Sequence, residues 1–378
     1  MKYNPEHFQP NVWQRITKII SSNRIGSAYL FSGPEGTGKE AAALAFSAAL
    51  NCQGNEIICG SCSSCVRFSS LQHEHLHVII PLPRKKANFD KDTDVLSIIG
   101  DDNAALLTDL LQKKGTDPFQ KINIPRAKRI LINSIRELRK KLYLKSVDSG
   151  YKMVLIFDAH CLSDGDGASA NALLKLLEEP PKKTTVILVT DYKSMLLSTI
   201  QSRCQQIDFP PISHDIVSTY LTDRGIHSGE AEFYANLADG NIHKARFLAD
   251  RTVAEILKTM KDQVEAVVNS NGDGWRSYIN NMSRMVRSDP NNFKFHLFLL
   301  QTWFQQSVRL RQNISSPLAQ NGFGEALKTF TTSYPQANLT TANSVIETTI
   351  ASIDRNFYMP LTLTNMLIDI QHYLKGKA

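Results

Sequence analysis

No apolar run in this 378-residue sequence approaches the ~20 residues that a helix needs to cross a bilayer. Its start, Met1-Lys-Tyr-Asn-Pro5, is polar where a secretory signal would be apolar. A membrane span and export are therefore not expected, and the protein is expected to be cytosolic. No internal repeat and no long low-complexity tail are visible. Neither sign of charge dominates: the net charge of +7 and pI near 9.0 are a mild basic excess, compatible with nucleic acid nearby but no proof of it. With 42% hydrophobic and 21% charged residues, the chain has the composition of packed domains, and its length suits two or three of them.

Cysteine is scarce but concentrated. Four of the six cysteines form Cys52-x6-Cys59-x2-Cys62-x2-Cys65. Four thiols this close, with nothing pointing to an oxidising compartment, read as one tetrahedral zinc site rather than a pair of disulfides. Cys161 and Cys204 lie far off and read as reduced, buried or half-buried thiols. His73, His75 and His77 alternate along the chain, and alternate residues of one strand do not readily converge on one ion, so structural roles are expected for them.

The cluster begins thirteen residues after Lys39, which closes the segment Gly33-Pro-Glu-Gly36-Thr-Gly38-Lys39. Ala28–Phe31 reads as a buried strand before it and Ala41–Leu50 as a helix after it, the setting a phosphate loop requires. Glycines let the backbone turn its N–H groups toward phosphate oxygens, and the lysine reaches the outer phosphates. The Ser or Thr that should follow the lysine and bind Mg2+ is missing, and Glu40 stands there. Lys152–Asp158 reads as a strand ending in the metal-holding aspartate of a Walker B element. The glutamate that would follow and polarise water is also missing, replaced by Ala159.

Elsewhere the periodicity predicts helices over 12–22, 104–114 and 125–142, and strands over 76–80 and 186–190. The 125–142 stretch carries apolar residues on one side and Arg126, Lys128, Arg129, Arg136, Arg139, Lys140 and Lys141 on the other. That basic side reads as a solvated face, or as a contact for DNA phosphates or a partner. Ala170-Asn-Ala-Leu-Leu-Lys-Leu-Leu-Glu-Glu-Pro-Pro181 reads as a helix stopped by two prolines, and Ser202-Arg203-Cys204 follows a short helical stretch. From Phe209-Pro-Pro-Ile212 onward only helical patterns are seen, with Gly240 separating two of them.

Phosphate loop, four-cysteine knot, Walker B strand, "NALLKLLEEPP" and "SRC", in that order, resemble the bacterial clamp-loader subunits of the replicative DNA polymerase, within the AAA+ superfamily. The resemblance is densest over 9–212, and "RNFYMPLTLTNMLIDI" near the end is similar to the family's closing collar helices. It implies an α/β P-loop AAA+ domain with an inserted zinc knot (1–212, knot 52–65), a small helical lid (213–251) and an all-α collar through which subunits assemble (252–378).

Motor (tau/gamma) subunits of the family keep Thr after the loop lysine, Glu after the Walker B aspartate, and a sensor-2 arginine where this chain has His243. Glu40, Ala159 and His243 therefore favour the delta-prime type. For that type the resemblance implies a degenerate nucleotide site (Gly33, Gly36, Gly38, Lys39, Asp158) with ATP and Mg2+ doubtful, and a zinc ion on Cys52, Cys59, Cys62 and Cys65. It further implies an arginine finger, Arg203, offered in trans to a neighbour's ATP site. The partners it implies are the delta and tau/gamma subunits in a hetero-pentamer, with the sliding clamp and primed DNA met through that complex. The alternatives are an active motor ATPase, or a zinc-stabilised DNA-binding or repair protein outside the loader. The segment 84–123 is longer than the resemblance implies.

Overall fold

The computed structural model describes residues 4–84, 90, 93–143, 150–165, 167–269, 272–314, 323–353 and 357–376. Parts of the charged segment 84–123 and the first residues of the "RNFYMP" stretch lie outside the described residues. The chain divides into two compact units, Met1–Val217 with Asp239–Lys244, and Ser218–Ala238 with Ala245–Ala378.

Among the described residues, the first unit is built on five parallel strands: β1 (Ala28–Ser32), β2 (Leu76–Ile79), β3 (Lys152–Ile156), β4 (Thr184–Thr190) and β5 (Gln205–Asp208). Their order across the sheet is β2-β3-β4-β1-β5. Every residue of β1 and β4 is buried, which is why both read as unbroken apolar runs rather than alternating patterns. Ala28 pairs with Val186 and Lys152 with Thr184, so β1, β3 and β4 end side by side. In such a sheet the crevice beyond the carboxyl ends of the strands is where ligands bind.

The helices of this unit are α1 (Pro5–Phe8), α2 (Pro10–Ser21), α3 (Lys39–Leu50), α4 (Ser63–Ser69), α5 (Val95–Ile99), α6 (Asp101–Thr116), α7 (Ile132–Tyr143), α8 (Ala168–Glu178) and α9 (Ser198–Gln201). Helix α3 is buried on all sides from Ala41 to Ala49. Small alanines make that possible, because strands and helices approach its backbone closely from every direction. Helix α8 ends just ahead of Pro180 and Pro181, and its Leu173, Leu176 and Leu177 enter the core with Leu138, Val154 and Ile156.

Helix α7 does not begin at residue 125 as the periodicity predicts; it begins at Ile132. The backbone ahead of it has other partners. Leu82 N–H donates to the Arg129 carbonyl (3.0 Å) in an antiparallel bridge, and Ile130 N–H donates to the Cys161 carbonyl (3.1 Å). Arg126 turns at φ 65°. Tertiary pairing thus takes up the groups a helix would have paired internally, while Ile130 and Leu131 are still buried. The basic side divides accordingly: Arg136, Arg139, Lys140 and Lys141 lie on α7, and Arg126, Lys128 and Arg129 on the preceding loop.

The second unit is helical. Helix α10 (His214–Thr222) runs into it, followed by α11 (Ser228–Ala238), α12 (Ile242–Ala249, its first residues still in the first unit), α13 (Val253–Val268), α14 (Gly272–Ser288), α15 (Pro290–Arg311), α16 (Phe323–Ser333), α17 (Leu339–Ser352) and α18 (Met359–Leu374). A reciprocal cap starts α13: Thr252 Oγ1 accepts from Glu255 N–H and the Glu255 carboxylate accepts from Thr252 N–H. Trp303 and Phe304 are core residues, Trp303 lying edge-on to Phe323 and Phe330. No described helix is long and apolar enough to cross a membrane.

Candidate functional site

The loop Gly33–Gly38 leaves the carboxyl end of β1 and enters α3. Two of its glycines are obligatory. At Gly33 (φ 147°) a Cβ would lie 2.2 Å from the Phe209 carbonyl oxygen, and at Gly36 (φ 72°) it would lie 1.9 Å from Asn241 Oδ1. Asn241 belongs to the short stretch Asp239–Lys244 of the first unit, whose Ile242 N–H donates to the Gly36 carbonyl (3.0 Å). That stretch seats His243 at the rim of the loop, beside Glu35, Thr37 and Glu40. Burial pushes the His243 imidazole below its ordinary pKa, against the pull of Glu40 and Glu35.

The lysine of the motif does not reach outward. Lys39 Nζ donates to the Gly33 carbonyl (2.8 Å), the Pro34 carbonyl and Thr37 Oγ1 (3.2 Å), and pairs with Asp191 Oδ1 at 2.7 Å. It is 4% exposed. Asp191 follows β4 as Asp158 follows β3, so two strand ends deliver carboxylates to one crevice. Sequence reading singled out Asp158 and missed Asp191; its place just after a buried apolar strand is the signal that would have found it.

Both positions that a metal would use are already paired. Glu40 stands at the hydroxyl position, and its Oε2 accepts from Lys114 Nζ. Burial alone would raise the Glu40 pKa, but Lys114 and Lys121 more than offset it and hold it low. Asp158, at φ 46° after β3, faces Lys121 Nζ at 3.5 Å. The same ammonium lies 3.4 Å from Asp191 Oδ2 and 3.6 Å from Glu35 Oε1. Burial disfavours its charge, yet Asp158, Asp191 and Glu35 together raise its pKa. For Asp158 burial dominates and the pKa is raised; for Asp191 the two lysines outweigh burial and the pKa is lowered. Ala159 is fully buried. The cavity left among these side chains is about 20 Å³, space for a water. In this arrangement the side chains that would meet Mg2+ and the outer phosphates are engaged with one another.

The four clustered cysteines are all free thiols, and their sulfurs lie within 4.8 Å of one another. Zinc–sulfur bonds of about 2.3 Å in a tetrahedron set sulfurs about 3.8 Å apart, and Cys59 and Cys65 Sγ are 4.0 Å apart. The N–H groups of Cys59, Cys62 and Cys65 each donate to a cluster sulfur at 3.4 Å, the polarity a thiolate wants. Cys62 caps α4 and Cys65 lies in its first turn, so the knot is anchored on a helix packed beside α3. The residues fit a zinc ion. Of the neighbouring histidines, His73 is held structurally: it stacks on Phe68 and bonds Ser64 Oγ (3.1 Å), and its Nδ1 accepts from His75 N–H.

Arg203 sits apart from this crevice, between α9 and β5. Its guanidinium donates to the Thr199 carbonyl (3.0 Å) and to Glu178 Oε1 (2.7 Å) and remains 37% exposed. The structure therefore groups Gly33, Gly36, Gly38, Lys39 and Asp158 in one crevice, the cysteines in a second place and Arg203 in a third.

A family profile described as DNA polymerase III, delta subunit, matches residues 8–213. The delta' subunit of DNA polymerase III from Bacillus subtilis (strain 168) is 31% identical over 232 residues, covering 61% of this chain and 56% of that protein. The tau subunit of the same organism is 29% identical over 272 residues, covering 68% of this chain and 40% of that protein. The chain thus spans about half or less of the length of these relatives. Among solved structures, a DNA polymerase III gamma subunit-related protein from Thermotoga maritima covers 96% of this chain and 99% of its own, at 14% identity and a TM-score of 0.41.

Proposed function

This chain belongs to the DNA polymerase III delta-subunit family, and from that premise we propose that it acts as the delta-prime-type stator of a clamp loader. In this reading it assembles with delta and tau/gamma subunits, helps them place the sliding clamp on primed DNA, and does not hydrolyse ATP itself. Residues 1–212 form the AAA+ part, 213–251 a lid and 252–378 the collar through which subunits join. Cys52, Cys59, Cys62 and Cys65 hold a structural zinc ion, and the protein is cytosolic.

The observation that carries the reading is the contrast between Lys39 and Arg203. Lys39 is spent on its own loop and on Asp191, with no carboxylate at 159 to orient water. Arg203 keeps a permanent charge and planar donors at the surface, held by one exposed carboxylate. A guanidinium offered to a neighbour's triphosphate neutralises charge developing on the γ-phosphate; in GTPase systems such fingers are worth roughly 10³–10⁵ in rate. The test is to mix the purified chain with delta and tau/gamma subunits, weigh the assembly and follow ATP turnover. Background turnover alone, and incorporation into the complex, are expected. Robust turnover by the isolated chain, abolished by Lys39→Ala, would identify a motor instead.

A further inference from the structure

The segment that the family resemblance leaves unexplained supplies the cations of the crevice. Helix α6 carries Lys114 in its last turn, with its side chain fully buried. Its ammonium holds the carbonyls of Pro118 (3.2 Å) and Gln120 (2.8 Å), besides Glu40, and lies 5.1 Å above the Phe157 ring. Those bonds wrap residues 117–120 into a turn, closed by Gln120 N–H on the Asp117 carbonyl (2.8 Å). The turn delivers Lys121 among Glu35, Asp158 and Asp191. Its base is fixed as well: a Cβ at Gly115 would lie 3.2 Å from the carbonyl oxygen of Ser69, the last residue of α4. Phe119 packs on Phe8, with ring centroids 4.9 Å apart.

Each side chain that a metal-nucleotide would engage thus faces an ammonium of this segment or is turned onto the loop. Glu40 holds Lys114, Asp158 holds Lys121, and Lys39 binds inward. A lysine shared by three carboxylates sits where a divalent cation would otherwise offset them. We propose that the segment Asp101–Lys121 is a built-in occupant of the phosphate loop, the ammonium groups of Lys114 and Lys121 standing in for the metal so that the loop is held closed without nucleotide. The inference rests on the reading above only in taking Gly33–Lys39 as a phosphate loop; subunit assembly is no part of it. A lost hydroxyl and a lost glutamate bear only on hydrolysis. An occupying segment explains more: the chain has one conformation at this loop, whatever the ATP concentration.

Two measurements on the zinc-loaded full-length chain test it. In the wild type, backbone amides of Gly36–Lys39 should exchange slowly without nucleotide, and MgATP should change neither that rate nor the melting temperature. Fast exchange that slows on adding MgATP would overturn the proposal. In Lys121→Met the carboxylates lose their shared cation. Electron paramagnetic resonance should then detect about one bound Mn2+ per chain, a hard ion suited to carboxylates, which the wild type and the charge-keeping Lys121→Arg do not bind. Millimolar Mn2+ should also raise the melting temperature of Lys121→Met alone. A folded Lys121→Met that binds no Mn2+ would overturn the proposal, and the exchange measurement decides the matter should that variant not fold. Weighing complexes formed with delta and tau/gamma subunits on the same samples keeps the two readings apart. No Mn2+ gain with normal assembly sinks the occupant alone, and Mn2+ gain without assembly sinks the stator alone.

Discussion

Arg203 donates to Glu178 Oε1 at 2.7 Å, tying the loop between α9 and β5 to the last residue of α8. Both side chains are more than a third exposed. Surface pairs of this kind contribute about 0–1 kcal/mol, so the bond orients the guanidinium more than it stabilises the fold. Arg203→Ala should leave the melting temperature of the isolated chain nearly unchanged and allow assembly, yet lower the clamp- and DNA-stimulated ATPase of the reconstituted loader. Glu178→Gln should lower that ATPase by less, because the charge is kept and only its aim is loosened. A destabilised monomer with an undiminished complex ATPase would mean that Arg203 is a structural residue.

The cysteine knot should contain one zinc per chain by metal analysis. Structural zinc contributes on the order of 10 kcal/mol in small zinc peptides, but here the core of β1, β3 and β4 is built without the knot. Chelation, or Cys59→Ser, should therefore expose residues 52–65 to proteases while far-ultraviolet circular dichroism keeps most of its amplitude. Global unfolding on chelation would show that the knot supports the whole first unit. Intact resistance to protease after complete metal removal would show that it needs no metal.

The parts legible in the sequence are those fixed by local pattern. Unbroken apolar runs gave away β1, β3 and β4, the glycines and alanines of 33–49 gave away the loop and α3, and cysteine spacing alone brought four sulfurs together. The start of α7 was not legible, because apolar residues at 127, 130 and 131 keep helical spacing while Leu82 and Cys161 claim the backbone. Lys114 and Lys121 were not legible either. Each is one lysine in a charged stretch, and only the fold sets it against Glu40 or Asp158, far away in sequence. The hint was indirect: a glutamate at the start of a helix that is otherwise buried needs a cation from somewhere.

In the helical unit, the Tyr278 hydroxyl donates to Gln263 Oε1 (3.0 Å), and Gln263 Nε2 meets His296 Nδ1 (2.9 Å). Burial pushes the phenol pKa up, so it stays a donor. Tyr278→Phe leaves the Gln263 oxygen without that donor among buried side chains. It should cost about 1–3 kcal/mol, the range for an unsatisfied buried polar group, read as a lower denaturant midpoint with an unchanged slope. A change below that range would mean that water replaces the hydroxyl.

His77, in the edge strand β2, gives a pH-dependent prediction. It lines a cavity of about 320 Å³ with Leu96, Leu107, Leu111 and Leu138, and Glu137 and Lys141 reach the same space. Burial, with Lys141, Lys152 and His75 adding repulsion, pulls its pKa from the ordinary 6.5 down to about 4. The unfolded chain therefore binds a proton between these values that the folded chain refuses. Where the unfolded state binds more protons, stability rises with pH. Above about 6.5 both states are neutral and His77 imposes no penalty; as the pH falls toward about 4 the penalty grows, and below that it is constant. His77→Gln cannot be protonated. Its melting temperature should fall less than that of the wild type between about pH 7 and about pH 5, a window chosen to stay above most carboxylate pKa values. A direct check is the imidazole resonance of His77 by NMR, which should hold its neutral shift through pH 6. Parallel melting curves for the two proteins, or titration of that resonance near 6.5, would mean that the cavity admits enough water to solvate the imidazolium.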